Sequence, residues 1–237
     1  MSLFEKVKSG IPTNDQLGKM VADEILTERS PEEVKDNFSF YVNEIHDRIY
    51  RRYLEAEYAA GQAVIDELIE RDGTVDFNEI KDMMKSLGQS RISRAGKAFE
   101  AIFTGLFYKL SYPYSDQVNI DGAKPDFVMP SEEYFRQNPL DSIIFTAKRT
   151  LRERWRQVVT EANKGYGFFL ATFDDKISAN QIDQAARHKI FIVVTDTMKN
   201  AKPHYRDAFN VLTFEDFFKR YLDPAMTRWA DAGYRSS

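Results

Sequence analysis

The run Ser142-Ile143-Ile144-Phe145-Thr146-Ala147-Lys148 predicts a short apolar strand that ends on a lysine. An earlier apolar run, Ala123-Lys124-Pro125-Asp126-Phe127-Val128-Met129, carries an aspartate straight after a proline. Asp126 and Lys148 are 22 residues apart, a separation that fits two adjacent strands and their connecting loop. The sequence therefore predicts an aspartate and a lysine side by side at the ends of neighbouring strands.

The chemistry of Asp126 and Lys148 suits metal-dependent hydrolysis of a phosphodiester bond. Carboxylate oxygens are ligands that Mg2+ prefers, and the bound metal lowers the pKa of the attacking water. A lysine beside that water offsets the negative charge that develops in the reaction. We therefore predict that Asp126 binds Mg2+ and that Lys148 is the catalytic cation. The alternative interpretation is structural, with Pro125-Asp126 as a turn and Lys148 as a solvated strand end.

The periodicity of apolar residues changes near residue 112, from helical to strand-like. Helices are predicted at 14–27, 38–71, 77–87 (ended by Gly88), 90–109, 151–164, 178–188 and 214–221. Strands are predicted at 118–120, 127–129, 142–147, 167–172, 190–195 and 210–213. The continuous apolar run at 190–194 indicates a sheet buried on both faces. The pattern predicts an α/β fold, with a mixed sheet of five or six strands flanked by helices.

The same change in periodicity predicts the domain organisation. Residues 1–88 are predicted to form an N-terminal helical subdomain for dimerisation or DNA contact. Residues 89–237 are predicted to form the catalytic core.

Composition excludes several classes of protein. The 237 residues carry a net charge of -4, so any DNA binding must come from a local basic surface. The chain has no cysteine, which excludes a disulfide framework and cysteine-ligated zinc and fits a reducing compartment. No run approaches the roughly 18 apolar residues of a membrane-spanning helix. We expect a soluble cytoplasmic protein with no membrane contact and no small-molecule cofactor.

The densest basic stretch begins at the strand-end lysine and runs Lys148-Arg149-Thr150-Leu151-Arg152-Glu153-Arg154-Trp155-Arg156-Gln157. Arginine forks match guanine O6 and N7 in the major groove, and glutamate accepts from cytosine N4. Arg152, Glu153 and Arg154 therefore offer the chemistry to read adjacent G·C pairs, and Trp155 is assigned to packing beneath them. The alternative is a solvated helix face.

A second basic and aromatic patch, Arg48-Ile49-Tyr50-Arg51-Arg52-Tyr53, lies in the helical half. Tyr50 or Tyr53 would suit stacking on an unpaired base, and the arginines would suit contacts to phosphates. The pattern also fits the ordinary face of an amphipathic helix, and that is the interpretation that we favour.

These motifs resemble the PD-(D/E)xK nuclease superfamily, whose usual second carboxylate lies two residues before the lysine. Thr146 occupies that position here and cannot replace a carboxylate as a ligand of Mg2+. Glu161, 13 residues after Lys148, can supply the acid from the following predicted helix. Arg154 and Glu161 are seven residues apart, hence on one face of that helix. A relocated carboxylate of this kind is typical of the CCGG family of type II restriction endonucleases.

Two segments resemble the EcoRII-type branch of the CCGG family, and the similarity covers about residues 90 to 165. The block from Lys148 to Glu161 resembles the lysine, recognition helix and glutamate of that branch. Ser93-Arg94-Ala95-Gly96-Lys97-Ala98-Phe99-Glu100 resembles the segment that opens its core helix. The resemblance implies a restriction-endonuclease-like core with Asp126, Lys148 and Glu161 as the catalytic set. Asp126 and Glu161 would then hold Mg2+, and Glu100 would be an extra or second-metal acid.

The resemblance also implies a substrate and an assembly. The triplet Arg152-Glu153-Arg154 would read a CC/GG core in double-stranded DNA, in an interrupted site of the CCNGG kind, with continuous CCGG as the runner-up. Arg94 and Lys97 would contact backbone phosphates, and the enzyme would act as a homodimer. Two alternatives stay open: a repair or resolvase nuclease of the same fold, and a non-catalytic DNA-binding protein with a decayed site. The triplet argues against the first, and Thr146 leaves the second open.

Overall fold

The computed structural model describes residues 1–120, 122–151, 155, 158, 162 and 167–234. The chain divides into two compact units. The first unit contains Met1–Thr27 and Glu44–Gly105, and the second contains Glu28–Asn43 and Leu106–Ser237.

Residues 1–109, all of which are described, form five helices. They are α1 (Leu3–Ser9), α2 (Asn14–Leu26), α3 (Pro31–Asp36), α4 (Phe38–Asp72) and α5 (Phe77–Lys109). The first two helices begin at capping boxes, in which Ser2 and Thr13 accept hydrogen bonds from backbone N–H groups of the first turn. α2 packs closely on α5, because a Cβ added at Gly18 would lie only 3.2 Å from the Cβ of Ala101.

The predicted end of a helix at Gly88 is wrong, since α5 runs through this residue without interruption. A glycine inside a helix costs only about 1 kcal/mol relative to alanine. Buried apolar residues on both sides of it, Leu87 and Phe99 among them, hold the helix by packing. The predicted division between residues 88 and 89 therefore falls inside α5. The functional division into a contact subdomain and a catalytic core stays a prediction.

The second unit is built on a mixed six-stranded sheet, which confirms the predicted fold class. Its strands are β1 (Ser115–Asp116), β2 (Phe127–Met129), β3 (Ile143–Ala147), β4 (Phe168–Ala171), β5 (Ile190–Val194) and β6 (Val211–Thr213). The strands lie side by side in chain order. β1, β2 and β3 pair in antiparallel fashion, and β3 to β6 are parallel.

The predicted strand at 118–120 is wrong, because β1 lies at Ser115–Asp116 instead. Ile120 makes only an isolated bridge to Ala123. Val118 and Ile120 are buried, so their apolar character reflects packing rather than strand pairing. Gln117 has a φ of 55°, which interrupts the extended backbone between β1 and these residues.

Helices cover the sheet. They are α6 (Glu132–Gln137), α7 (Ala179–Arg187), α8 (Asp196–Ala201), α9 (Pro203–Arg206), α10 (Phe214–Phe217), a π-helical turn (Phe218–Leu222) and α11 (Asp223–Asp231). The helix predicted at 178–188 is confirmed as α7. The one predicted at 214–221 continues further, through the π-helical turn to Asp231. Four residues of the helix predicted at 151–164 are described: Leu151 is not helical, and Trp155, Val158 and Ala162 are helical.

The sheet is buried on both faces, as its continuous apolar strands predicted. Val128, Ile144, Leu170 and Ile192 pack into an aliphatic core on one face. The alternate residues point to the opposite face, where rings dominate. There Phe127 packs on Phe145, which packs in turn on Phe217 of α10. Within the described part of the chain, no helix has the length and apolar character to cross a membrane.

Candidate active site

The register of β2 and β3 brings Asp126 and Lys148 together. Asp126 immediately precedes β2, and Lys148 immediately follows β3. Because the two strands are antiparallel, with Phe127 opposite Phe145, the start of one lies beside the end of the other. The predicted placement side by side is confirmed, and the catalytic roles of the two residues stay predictions.

The Lys148 ammonium and the Asp126 carboxylate form a close ion pair. Nζ lies 3.0 Å from Oδ1 and 2.8 Å from Oδ2, so one cation spans both oxygens. The two side chains are only 10% and 12% exposed. An interaction so little exposed to water is stronger than a surface ion pair, because a lower dielectric screens it less. Asp126 is therefore held in one orientation.

Two further donors, both on β3, hold the carboxylate of Asp126. Its Oδ2 accepts hydrogen bonds from Oγ1 of Thr146 and from the backbone N–H of Ala147, each at 2.7 Å. Thr146 is fully buried. It stands where the PD-(D/E)xK pattern usually places its second carboxylate, and its hydroxyl donates to Asp126 where a carboxylate would repel it.

The donor role of Thr146 was not predicted from the sequence, in which this residue stands only as a missing metal ligand. The sequence did carry a hint of this donor role, because residues 146 and 148 are two positions apart in an extended chain and so lie on the same face. A hydroxyl on the same face as the lysine can contact the same partner. Here that common partner is Asp126.

The side chains at this edge of the sheet offer part of what a magnesium site needs. Within the described part of the chain, no group of three or more His, Cys, Asp or Glu side chains could hold a metal ion. Mg2+ usually needs only one or two protein carboxylates and completes its shell with water and substrate phosphates. Asp126 offers one such carboxylate. The set fits Mg2+ if a second acid joins it, and Glu161, the predicted one, lies outside the described residues.

The predicted base-reading residues Arg152, Glu153 and Arg154 also lie outside the described residues. The positions that bracket them are described. Leu151 is buried, and Trp155 packs against the aliphatic core. The predicted packing role of Trp155 is confirmed.

Arg94, Lys97 and Glu100 all lie on the part of α5 that belongs to the first unit. Lys97 is exposed and Glu100 is partly buried. Arg94 donates from Nη1 to the carbonyl oxygen of Pro12 at 2.8 Å, and its guanidinium lies 5.2 Å from the ring centre of Tyr53. Arg94 therefore has a structural task in this unit. Its predicted phosphate contact stays a prediction, as do the roles of the other two residues.

The basic and aromatic patch at 48–53 is the face of an amphipathic helix. Arg48 and Arg52 both pair with Glu24, at 3.0 Å and 2.7 Å. Tyr53 is buried and donates to Glu57, and this burial raises the pKa of Tyr53 to about 12. A base cannot stack on so buried a ring. Tyr50 is about half exposed.

The fold and the site define the class of protein. A mixed sheet with an aspartate entering one strand and a lysine leaving its antiparallel neighbour is the restriction-endonuclease-like fold of PD-(D/E)xK nucleases. A family model described as EcoRII C terminal matches residues 58–218. The chain belongs to this EcoRII C-terminal family, as the motifs predicted.

Curated relatives agree with this membership. The chain is 34% identical over 179 residues to the type II restriction enzyme SsoII of Shigella sonnei, a match that covers 70% of this chain and 58% of that protein. It is 28% identical over 138 residues to the type II restriction enzyme EcoRII of Escherichia coli, covering 56% of this chain and 34% of that protein. The matched region thus spans little more than half of the first relative and a third of the second.

Solved structures show the same likeness. A metal-depleted Ecl18kI in complex with uncleaved DNA superposes with a TM-score of 0.80 at 28% identity, covering 99% of this chain and 85% of that chain. The complex of the restriction endonuclease PspGI with substrate DNA gives a TM-score of 0.75 at 23% identity, covering 96% and 98% of the two chains. The second comparison supports the fold.

Proposed function

We propose that this chain is a type II restriction endonuclease that cleaves double-stranded DNA at a short site with CC and GG half-sites, by Mg2+-dependent hydrolysis. The observation that carries the proposal is the Asp126–Lys148 pair at the strand ends, in a chain of the EcoRII C-terminal family. The names of SsoII and EcoRII as type II restriction enzymes support it, as do the DNA complexes of Ecl18kI and PspGI.

In the mechanism that we propose, Asp126 and Glu161 would hold Mg2+. When bound, Mg2+ supplies charge neutralisation at the phosphate and a lower pKa for the attacking water. Thr146 and the backbone N–H of Ala147 keep the Asp126 carboxylate in a fixed orientation. Lys148 places a cation next to that carboxylate, where it orients the water and offsets developing negative charge. If Glu161 is not the second carboxylate ligand of Mg2+, Glu100 is the next candidate for that role.

Recognition of the site is assigned to the segment that follows Lys148. Arg152 and Arg154 would donate to guanine, and Glu153 would accept from cytosine. Lys97 is exposed, which suits a phosphate contact. A guanidinium has five N–H donors, so Arg94 can contact a phosphate while it donates to Pro12. An interrupted CCNGG site is the first choice, and continuous CCGG is the second.

A homodimer is the assembly that the substrate favours. A palindromic site has two-fold symmetry, and a two-fold protein matches it most simply. Residues 1–88 would supply the surface for dimerisation or DNA contact, and residues 89–237 would carry the chemistry.

One observation favours a second candidate. Thr146 replaces a carboxylate at the position that usually binds metal, which is what a non-catalytic DNA-binding protein with a decayed site would show. A repair or resolvase nuclease of the same fold is the remaining alternative. The three functions differ in their products on plasmid DNA.

The test is a plasmid digestion with Mg2+ and with chelator. We expect discrete bands only with Mg2+, and at least about a 100-fold loss of cutting in Asp126→Asn and Lys148→Met with specific binding retained. Asp116→Asn is the matched control, because Asp116 is an exposed carboxylate on the neighbouring β1. Nicking that depends on DNA structure would indicate the repair function. Gel retardation without cutting would indicate the non-catalytic one.

A further inference from the structure

The loop after β4 holds the chain that leaves the Asp126–Lys148 site. Oδ2 of Asp174 accepts a hydrogen bond from the backbone N–H of Leu151 at 2.8 Å. Oδ1 of the same carboxylate accepts from the backbone N–H of Lys176 at 2.9 Å. One side chain therefore joins its own loop to the chain three residues after Lys148.

The loop that carries Asp174 is itself held firmly. The backbone N–H of Asp174 donates to Oγ1 of Thr172 at 3.0 Å, and the backbone carbonyl oxygen of Asp174 accepts from the Tyr205 hydroxyl at 2.8 Å. Tyr205 is buried and also accepts from the backbone N–H of Ile177. Because Asp174 is held in this way, its carboxylate can fix the position of the Leu151 backbone.

A second contact holds the chain at Trp155. The indole Nε1 donates to Oε1 of Gln184 on α7 at 2.8 Å, and the ring packs against the aliphatic core. In the sequence, only residues 152–154 separate Leu151 from Trp155. The two held residues therefore flank this triplet in the sequence.

We propose that Asp174 and Gln184 are positioning residues for DNA recognition: Asp174 holds Leu151 and Gln184 holds Trp155, the two described residues that flank the proposed base-reading triplet in the sequence. This inference rests on the proposed function, because it takes Arg152, Glu153 and Arg154 as the base-reading residues. Neither Asp174 nor Gln184 contacts DNA in this proposal. Their effect falls on discrimination between sequences and not on general affinity for the duplex.

The physical reason is the geometry of base readout. A bidentate arginine–guanine contact needs both N–H groups in place at once, so a small displacement of the backbone loses one of them. Phosphate contacts are less demanding, since they depend mainly on charge. A carboxylate that accepts two backbone N–H groups makes stronger hydrogen bonds than a neutral acceptor does. Asp174 therefore opposes a displacement of the backbone at Leu151, and such a displacement would weaken discrimination between DNA sequences.

The first experiment compares Asp174→Asn with Asp175→Asn. An asparagine side chain keeps one acceptor oxygen and turns the other into a donor, so one of the two N–H groups loses its partner. Asp175 is the exposed neighbour, so its variant removes the same charge from the same loop. Binding of metal-free protein to a CC/GG duplex and to a scrambled duplex is measured by fluorescence anisotropy, with the melting temperature of each variant.

We expect Asp174→Asn to lower the ratio of specific to non-specific affinity on the order of 10-fold, with the scrambled duplex bound as in the wild type. Asp175→Asn should keep the wild-type ratio. An Asp174→Asn protein with an unchanged ratio would overturn the positioning role. So would one that binds both duplexes more weakly in equal measure, since that is the result of general unfolding.

The second experiment uses the conservative variant at Gln184. Gln184→Glu keeps an acceptor for the indole N–H, and Gln184→Leu removes it. The chain has two tryptophans, Trp155 and the buried Trp229, so a Trp229→Phe background reports Trp155 alone. We expect Gln184→Leu to lose discrimination and to raise acrylamide quenching of Trp155, and Gln184→Glu to restore both. Loss of discrimination without a change in quenching would refute the route through Trp155.

The two proposals fail in different ways. A wild-type protein with no preference for any CC/GG duplex would end the proposed function, while the quenching measurement still reports whether Gln184 holds Trp155. A wild-type protein that discriminates, with variants that discriminate equally well, would end the positioning role alone.

Discussion

Oγ1 of Thr146 donates a hydrogen bond of 2.7 Å to Oδ2 of Asp126, at the position where the PD-(D/E)xK pattern usually has its second carboxylate. Thr146 cannot bind Mg2+ as a carboxylate does, but it donates to the Asp126 carboxylate. A buried hydroxyl without a partner would be costly, so this contact also satisfies Thr146 itself. The hydroxyl of Thr146 therefore orients the carboxylate that we propose as a ligand of Mg2+.

The role of Thr146 can be tested with Thr146→Val, which keeps the shape and removes the donor. We expect cutting to fall by about 10- to 100-fold, because a hydrogen bond to a charged group contributes about 1.5–3 kcal/mol. Binding to the specific duplex should be retained. Thr146→Ser restores a hydroxyl and should recover most of the single-turnover rate. A valine variant that cuts at the wild-type rate would contradict the orienting role.

Glu161 is predicted to supply the relocated carboxylate. Glu161→Ala should reduce cutting by at least about 100-fold while specific binding stays measurable, because one of two metal ligands is lost. Glu133→Ala is the control, since Glu133 is an exposed helical glutamate on α6. If Glu161→Ala cuts DNA at the wild-type rate, Glu161 does not supply the relocated carboxylate. Glu100→Ala would then be the variant to measure.

Arg152 is predicted to read guanine with both arms of its guanidinium. Arg152→Lys keeps the charge and loses the fork, so it should cost about 1–3 kcal/mol of discrimination, or about 5- to 150-fold. Salt-dependent binding to any duplex should change little. The measurement is digestion of a randomised duplex pool and sequencing of the ends, with Arg187→Lys on α7 as control. Ends without a shared CC/GG element, or unchanged preferences in Arg152→Lys, would end this hypothesis.

The helical half is predicted to be needed for folding or dimerisation. A fragment of residues 89–237 would begin inside α5 and lose buried residues of the first unit, such as Leu17, Ile45 and Leu68. We expect it to show reduced helicity by circular dichroism, or to sediment as a monomer where the full chain sediments as a dimer. A monomeric fragment that cuts DNA normally would refute the prediction.

Stability at alkaline pH should depend on Tyr205. Burial raises the pKa of Tyr205 to about 12, above the value of about 10 for an unfolded tyrosine. The folded state holds the Tyr205 proton more tightly than the unfolded state does. The raised pKa of Tyr205 therefore contributes fully to the free energy of unfolding below about pH 10, and this contribution is lost as the pH rises towards 12. Tyr205→Phe should therefore show a shallower fall of melting temperature over this range. Tyr58→Phe, at an exposed position, should fall as steeply as the wild type.

Local patterns predicted a large part of the fold. The apolar runs at 127–129, 142–147 and 190–195 became β2, β3 and β5, because a strand buried on both faces is apolar along nearly its whole length. The same patterns failed at Val118 and at Gly88. An apolar residue can be buried in a turn as well as in a strand, and a glycine inside a helix is tolerated where packing on both sides outweighs its cost.

The sequence alone was enough to predict an aspartate and a lysine at the ends of two short strands, with arginines after the lysine. These are properties of residue order and periodicity. Which atoms meet depends instead on the folded chain: the antiparallel register places Thr146 beside Asp126, and the loop after β4 brings Asp174 to Leu151. Such partners are distant in the chain, and hydrogen bonds act only over about 3 Å. Their identity therefore depends on the packing of the whole sheet, which no local pattern contains.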